Sequence, residues 1–456
     1  MTETRTEARP YRAYTRRDID RLPALSGLAQ SQRDAMKAVS AVLPFRVNQY
    51  VLDELIDWRA LPDDPIYQLT FPQPEMLKPA DFQRMFTLVK RGAPDAEIKA
   101  AAKAIQHQLN PHPAGQQELN VPRLDDGTPL PGAQHKYRET VLFFPSQGQT
   151  CHAYCTYCFR WAQFVGLDGL KFASREVEHL RRYVQDHPGV RNVLFTGGDP
   201  MIMKAQSLRA YIEPLLSPEL GQVREIRIGT KSPGYWPQRF VTDSDADDVL
   251  RLFEDVVKSG RHLALMAHYS HPRELSTPIA QRAVERIRAT GAVVRTQAPL
   301  IRHVNDDADT WASMWNAQVA LGAVPYYMFV ERDTGPQHYF EVPLARALAI
   351  FNGAFRQVSG LGRTVRGPSM SATPGKVLVD GTATVRGEQV FVLKFLQARD
   401  PSWVGRPFFA RFDPEATWLS DLRPAFGERE FFFESGLDAP RRRRLALLSE
   451  ADLPAE

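Results

Sequence analysis

Cys151, Cys155 and Cys158 stand in one run, Cys151-His-Ala-Tyr-Cys155-Thr-Tyr-Cys158-Phe-Arg160, and are the only cysteines of the 456 residues. Three thiolates so spaced satisfy three irons of a [4Fe–4S] cube. The fourth iron is left open to a small molecule, an arrangement for chemistry rather than for storing an electron. From the residues alone two other readings stay open. Structural zinc asks for four ligands, and His152 offers itself as the fourth, although adjacent residues seldom turn both side chains toward one ion. The thiols also stand as unconnected cysteines. Disulfides are disfavoured by the odd number and by a polar, Arg-rich start, Met1 to Arg17, that reads as neither signal peptide nor anchor.

An iron site needs a container, and the middle of the chain supplies one. Apolar runs at Val141–Pro145, Asn192–Thr196, Glu225–Thr230, His262–His268, Ala292–Pro299 and Val324–Val330 read as strands. Helical spacing fills the gaps at Ser174–Asp186, Ala205–Leu216, Asp245–Ser259, Pro278–Thr290 and Asp307–Leu321. Six strands alternating with helices predict parallel βαβ units. The cysteines follow the first strand, and barrel chemistry sits on loops at the C-terminal strand ends. The expected fold class is therefore α/β: a partial (βα)6 barrel with a helical N-terminal extension and a small β-rich C-terminal segment. The expected domains are 1–130, rich in helices broken by prolines, 131–360, the barrel, and 361–456. In the last, Lys376–Val379, Ala383–Val385 and Gln389–Phe395 read as strands joined at Asp380-Gly381 and Gly387-Glu388.

Composition excludes other classes. A hydrophobic share of 43% and 24% charged residues are ordinary for a soluble enzyme, and a formal charge of +4 is too small to argue for nucleic acid. No run approaches the ~20 apolar residues of a membrane helix, so a cytoplasmic protein with reduced thiols is expected. The basic run Arg441 to Arg444 reads as a solvated surface rather than a phosphate patch. Thr196-Gly197-Gly198-Asp199-Pro200 closes the second strand. Its glycines permit close backbone approach to a ligand, and Asp199 with exposed amides can receive an amino-acid head group.

CxxxCxxC followed by Phe-Arg resembles the radical S-adenosylmethionine enzymes, and the Gly-Gly-Asp turn resembles the motif that holds the methionine amino group there. Further stretches resemble the lysine 2,3-aminomutase family in order. They are His135-Lys136-Tyr137, Ile226 to Pro233, Pro237-Gln238-Arg239, His268-Tyr-Ser-His271-Pro272, Gln297, Val304-Asn305-Asp306 and Pro325-Tyr326-Tyr327. Together the matches cover roughly residues 40–380.

The resemblance implies an isomerase that moves an α-amino group to the β-carbon, with a [4Fe–4S] cluster, S-adenosylmethionine and pyridoxal 5′-phosphate. The pyridoxal carrier needs an amine for its aldehyde, and Lys376, in Thr373-Pro374-Gly375-Lys376, takes that place. Arg160 corresponds to the arginine that pairs with the substrate α-carboxylate. Lys136, Tyr137 and Arg138 lie where the cofactor phosphate is held, and His268 and Gln297 count among the cofactor-binding positions. Thr140 stands where a second phosphate-binding arginine is expected, with Arg138 as the substitute. Asp306 matches one of two aspartates that grip a lysine ε-ammonium. The other is missing, with Ser369, Ser371 and Thr373 in its stretch.

Free lysine-like amino acid is the expected substrate, and flavodoxin or ferredoxin the expected electron donor. A homo-oligomer without structural zinc is also implied, since the family's C-terminal zinc cysteines are absent. The alternatives are a radical S-adenosylmethionine enzyme of other specificity, including one that prepares β-lysine for translation-factor modification, or a metal-stabilised binding protein.

Overall fold

The computed structural model describes residues 10–111, 113–124, 126–166 and 172–437; the run Arg441 to Arg444 lies outside them. A hairpin of β1 (Ala133–Tyr137) and β2 (Thr140–Phe143) opens a sheet of eleven described strands. There follow β3 (Asn192–Phe195), β4 (Glu225–Thr230), β5 (His262–His268), β6 (Val293–Leu300), β7 (Val324–Val330) and β8 (Arg366–Ser371), each parallel to the strand before it. Then β9 (Gly375–Val385), β10 (Glu388–Ala398) and β11 (Pro407–Arg411) run antiparallel. Spatial order equals chain order throughout.

Helices Val177–Asp186, Ala205–Ile212, Ala246–Lys258, Pro278–Ala289, Ala308–Ala320 and Leu344–Arg356 occupy the crossovers from β2 to β8. The alternation of the strands explains why they stay there. Val141, Phe143, Val193, Phe195, Ile226 and Ile228 are fully buried with apolar residues of these helices, while the intervening side chains point to the other face. One face of the sheet is thus a hydrophobic core and the other is free to line a cavity.

Three local readings change. The first crossover helix begins at Val177 rather than Ser174, because Ser174 N–H donates to Phe144 O (2.9 Å) and Ser174 O accepts from Ser146 N–H (3.0 Å). Residues 366–371 form a seventh parallel strand, masked in the sequence by Gly367 and Pro368, which weaken a strand pattern. The two short C-terminal strands are one strand, β9. Asp380-Gly381 marks a register shift within it, not a turn. The turn at Gly387 is real: Arg386 (φ 52°) and Gly387 (φ 82°) are both left-handed between the paired Val385 and Glu388, as a tight hairpin requires.

Residues before β1 do more than extend the chain. Helices Gln30–Val42, Pro79–Lys90 and Asp95–Gln108 share one hydrophobic cluster with Tyr157 and Trp161 of the cysteine segment and Trp236 after β4. Beyond β8 a separate aromatic cluster forms around Phe391, Phe395, Phe408 and Phe433. Truncating one such ring to alanine costs about 3–5 kcal/mol. No described helix is long and apolar enough to cross a membrane.

Candidate active site

A cavity of about 330 Å³ opens on the helix-free face of the sheet. Thr140 and Leu142 of β2, Leu194 of β3, Arg227 of β4, and Met266 and His268 of β5 line it from alternate positions. The loops after the parallel strands complete the wall. Because β9 runs antiparallel to β8, its first residues lie at the same end as the last residues of the parallel strands, and Ser371 pairs with Lys376. This reversal brings a lysine 221 positions from Cys155 to the same cavity as the cysteines.

The cysteine loop is held from outside the sheet. Tyr154 N–H donates to Arg46 O (2.8 Å) and Thr156 N–H to Leu69 O (3.0 Å), while His152 O accepts from Tyr11 Oη (2.8 Å) and Asn48 Nδ2 (3.2 Å). Its three thiols are half-buried on the cavity wall. Burial pushes all three thiols up, Cys158 to about 12, with neighbouring Cys155 adding to it. Iron ligation needs the thiolate, so loading the site releases protons. His152 is taken up elsewhere: Nδ1 pairs with Ser232 Oγ at 2.9 Å and the ring stacks on Trp236. Among the described residues no three His, Cys, Asp or Glu gather around a point suited to one ion. With His152 so engaged a Cys3His zinc arrangement does not fit, whereas three thiols lining one cavity match in number three irons of a cube that leaves its fourth open.

The Gly-Gly-Asp turn works differently from the expectation. A Cβ at Gly198 would stand 2.5–2.6 Å from backbone atoms of Thr150, and one at Gly197 (φ 154°) would strike the Gln149 side chain. Both glycines therefore admit the chain's own cysteine loop, not only a ligand. Asp199 is buried, and its carboxylate accepts from Thr230 Oγ1 (2.7 Å), Met201 N–H and Lys231 N–H (2.9 Å each) and Ser232 Oγ (3.1 Å). Both oxygens are thus engaged. Asp199 pins the ends of β3 and β4 to one another while it lines the cavity.

On the opposite wall Gly375 lets β9 pass close to β10, since a Cβ there would stand 2.3 Å from Gln397 O. The next residue, Lys376, points its Nζ over the Tyr327 ring at 4.0 Å. Burial, and then Arg227 and Arg366, lower its pKa to about 7. Lys136 Nζ donates to Ala372 O across the approach of β1 to the C-terminal strands, and Tyr137 also lines the cavity. Arg138 does not. It is exposed at the hairpin tip beside Gly189 and cannot stand in for the charge missing at Thr140.

His268 and Gln297 meet across β5 and β6, where they are register partners, and the Gln297 amide lies 2.7 Å from His268 Nε2. Burial and the cations Lys231 and Arg160 lower the imidazole to about 3, so it stays neutral.

Arg160 spreads over the Phe144 ring at 4.3 Å with its Nη1 buried and unpaired. It awaits an acceptor. Asp306 does not face it. The Asp306 carboxylate pairs with Arg346 at 3.0 Å on the outer side, away from the cavity lining, because the turn before helix Ala308–Ala320 directs it toward Leu344–Arg356. The expected ammonium grip is therefore absent from its predicted place. Ser369 is buried between strands and does not line the cavity.

Among the lining residues that escaped the sequence reading, two are charged neighbours. Glu331 and Arg332 follow β7 directly. Their position after an apolar strand was the available signal, since charged residues at C-terminal strand ends are functional candidates. Burial pushes the Glu331 carboxyl well up, which favours its neutral form.

No protein-family model matches the chain. It is 29% identical over 407 residues to a putative L-lysine 2,3-aminomutase of Aquifex aeolicus, covering 89% of this chain and 95% of that one. It is 27% identical to the L-lysine 2,3-aminomutase of Acetoanaerobium sticklandii, covering 57% of this chain and 59% of that protein. With that of Clostridium subterminale identity is 26%, covering 60% and 62%. The match thus spans less than two thirds of the length of the latter two. Among solved structures, Streptococcus suis SuiB bound to precursor peptide SuiA overlaps 57% of this chain and 50% of its own at 10% identity, with a TM-score of 0.34.

Proposed function

Because the chain belongs to the radical S-adenosylmethionine lysine 2,3-aminomutase family, we propose that it is a pyridoxal 5′-phosphate-dependent amino-acid 2,3-aminomutase, an isomerase that moves an α-amino group to the β-carbon. The observation that carries this reading is one cavity lined by three thiols, by Arg160, whose Nη1 has no partner among the described residues, and by the partly buried amine of Lys376. We read the curled sheet with its one-sided helices as the partial (βα)6 barrel expected from the sequence, lengthened by β8 to β11.

When bound, the cluster and S-adenosylmethionine supply a hydrogen-abstracting carbon radical, and the pyridoxal group supplies an aldehyde for the migrating nitrogen. The protein's part is placement. Cys151, Cys155 and Cys158 would hold three irons, and the backbone of Gly197 and Gly198, which lines the same cavity, would receive the methionine end of the nucleoside. Arg160 fixes the substrate α-carboxylate through its planar fork, which orients the α- and β-carbons. Lys376 offers an uncharged amine near neutrality to the aldehyde, and the Tyr327 ring beneath it limits its swing. Lys136 and Tyr137 face the phosphate side. His268 and Gln297 would offer the cofactors a neutral, mutually bonded surface on the cavity wall. The cavity's buried walls keep water from a reactive radical.

A free amino acid is the substrate class, with flavodoxin or ferredoxin as reductant, in the cytoplasm and in a homo-oligomer. The outward pairing of Asp306 with Arg346 favours a second reading of the specificity, an amino acid other than lysine. The test is anaerobic reconstitution with iron, sulfide and pyridoxal 5′-phosphate, then incubation with single amino acids, S-adenosylmethionine and dithionite. Detection of a β-amino product supports the reading. Cleavage of S-adenosylmethionine without any β-amino product across the amino acids refutes it.

A further inference from the structure

Arg332 carries a guanidinium that no described residue grips. Its side chain lines the cavity directly after β7, its Nε is buried without a partner, and no described residue hydrogen-bonds or ion-pairs with its guanidinium. The adjoining carboxyl of Glu331 is buried, which favours its neutral form, and Asp333, next in the chain, attracts Arg332 from beyond ion-pair distance. Other cations crowd the same space. Arg332 and Arg160 flank one ring, with their guanidinium carbons 5.0 and 5.1 Å from the Phe159 centroid. Lys136, whose one hydrogen-bond acceptor among the described residues is Ala372 O, lies near enough to Arg332 for the two to repel. Arg399 adds to the field, but its three nitrogens are spent on Thr373 O, Leu119 O and Asn120 Oδ1. Cations drawn partly out of water with little counter-charge are costly, and a guanidinium whose Nε is buried without an acceptor costs more. An anion entering between Arg332 and Lys136 offsets both.

We propose that Arg332, with Lys136, is a second oxyanion receptor of this cavity, separate from the carboxylate site at Arg160. The planar fork suits a group with two or three equivalent oxygens, a phosphate monoester or a carboxylate. Two sources carry that chemistry here: the phosphate of the cofactor, or the side-chain carboxylate of an acidic amino acid. The inference rests on the aminomutase reading for these sources alone; the receptor itself rests on the guanidinium that no described residue grips.

The experiment titrates the purified full chain with inorganic phosphate and with glutarate by calorimetry, in parent, Arg332→Gln and Arg332→Lys proteins. Thermal melting of each variant confirms folding. Inorganic phosphate or glutarate should bind the parent, at least tenfold more weakly to Arg332→Gln, and with part of the loss restored in Arg332→Lys. In parallel, pyridoxal 5′-phosphate and pyridoxal are titrated by absorbance. Loss of the parent's preference for the phosphorylated aldehyde assigns the cofactor as the source. Loss confined to glutarate assigns an acidic side chain. Equal binding in parent and Arg332→Gln, or no binding of either anion to the parent, overturns the receptor. Its failure is distinguishable from that of the aminomutase reading. Pyridoxal attached to Lys376 without any effect at Arg332 sinks the receptor alone, and anion binding without attachment at Lys376 sinks the aminomutase reading alone.

Discussion

Lys376 holds its Nζ 4.0 Å from the ring centroid of Tyr327, on a strand that turns back to the cavity mouth. The ring face tolerates the ammonium, but burial and the nearby guanidinium groups of Arg227 and Arg366 do not, and the pKa falls to about 7. The lysine is thereby poised between its charged and free forms at neutral pH.

Attack on an aldehyde needs the free amine. Below about pH 7 the ammonium has no lone pair, so the rate of pyridoxal attachment should rise about tenfold per pH unit there and level off above it. Arg227→Gln removes a repelling cation and should move the inflection upward. Absorbance kinetics across that window measure it, and borohydride reduction with peptide mapping should place the pyridoxyl group on Lys376. A profile flat through pH 7, or label on another lysine, contradicts the assignment.

Gly198 links the turn after β3 to the cysteine loop. Gly198→Ala places a methyl 2.5–2.6 Å from Thr150 backbone atoms, so the loop must shift by a sizeable fraction of an ångström. Iron incorporation should fall as it does in Cys151→Ala, Cys155→Ala or Cys158→Ala, with the rest of the fold retained. Iron and sulfide analysis beside circular dichroism reads both quantities. Full iron content in Gly198→Ala means the loop relaxes without consequence.

Arg160→Lys keeps the charge and loses the fork. Turnover of every amino acid should drop by at least tenfold, about 1.4 kcal/mol at the transition state, because a point charge orients a carboxylate poorly. Comparison of kcat and KM for several substrates is the measurement. Unchanged turnover places the carboxylate elsewhere.

Asp306→Asn tests the outward placement. The pair with Arg346 has side-chain exposures of 25% and 59%, so its loss should change stability by less than about 1 kcal/mol. The ratio of lysine to glutamate turnover should stay the same. A selective loss of lysine turnover would show that Asp306 reaches the substrate after all.

What the sequence determined by itself follows from short-range regularity. Three cysteines within eight positions announce their chemistry before any fold, and short apolar runs between helical stretches located β2 to β7 within a residue or two. Lys376 was legible through the family resemblance, which places a Schiff-base lysine after the barrel; the Pro-Gly turn before it alone would have read as surface. The tertiary structure decided where loop side chains point, since no period governs them. Arg138 and Asp306 matched expected positions in the chain, yet one ends at an exposed hairpin tip and the other against Arg346. Arg332 went unnoticed in the sequence and faces inward. The reversal of β9 was likewise invisible in composition or spacing. It takes an antiparallel strand, added to a parallel sheet, to return Lys376 to the end where the cysteines lie.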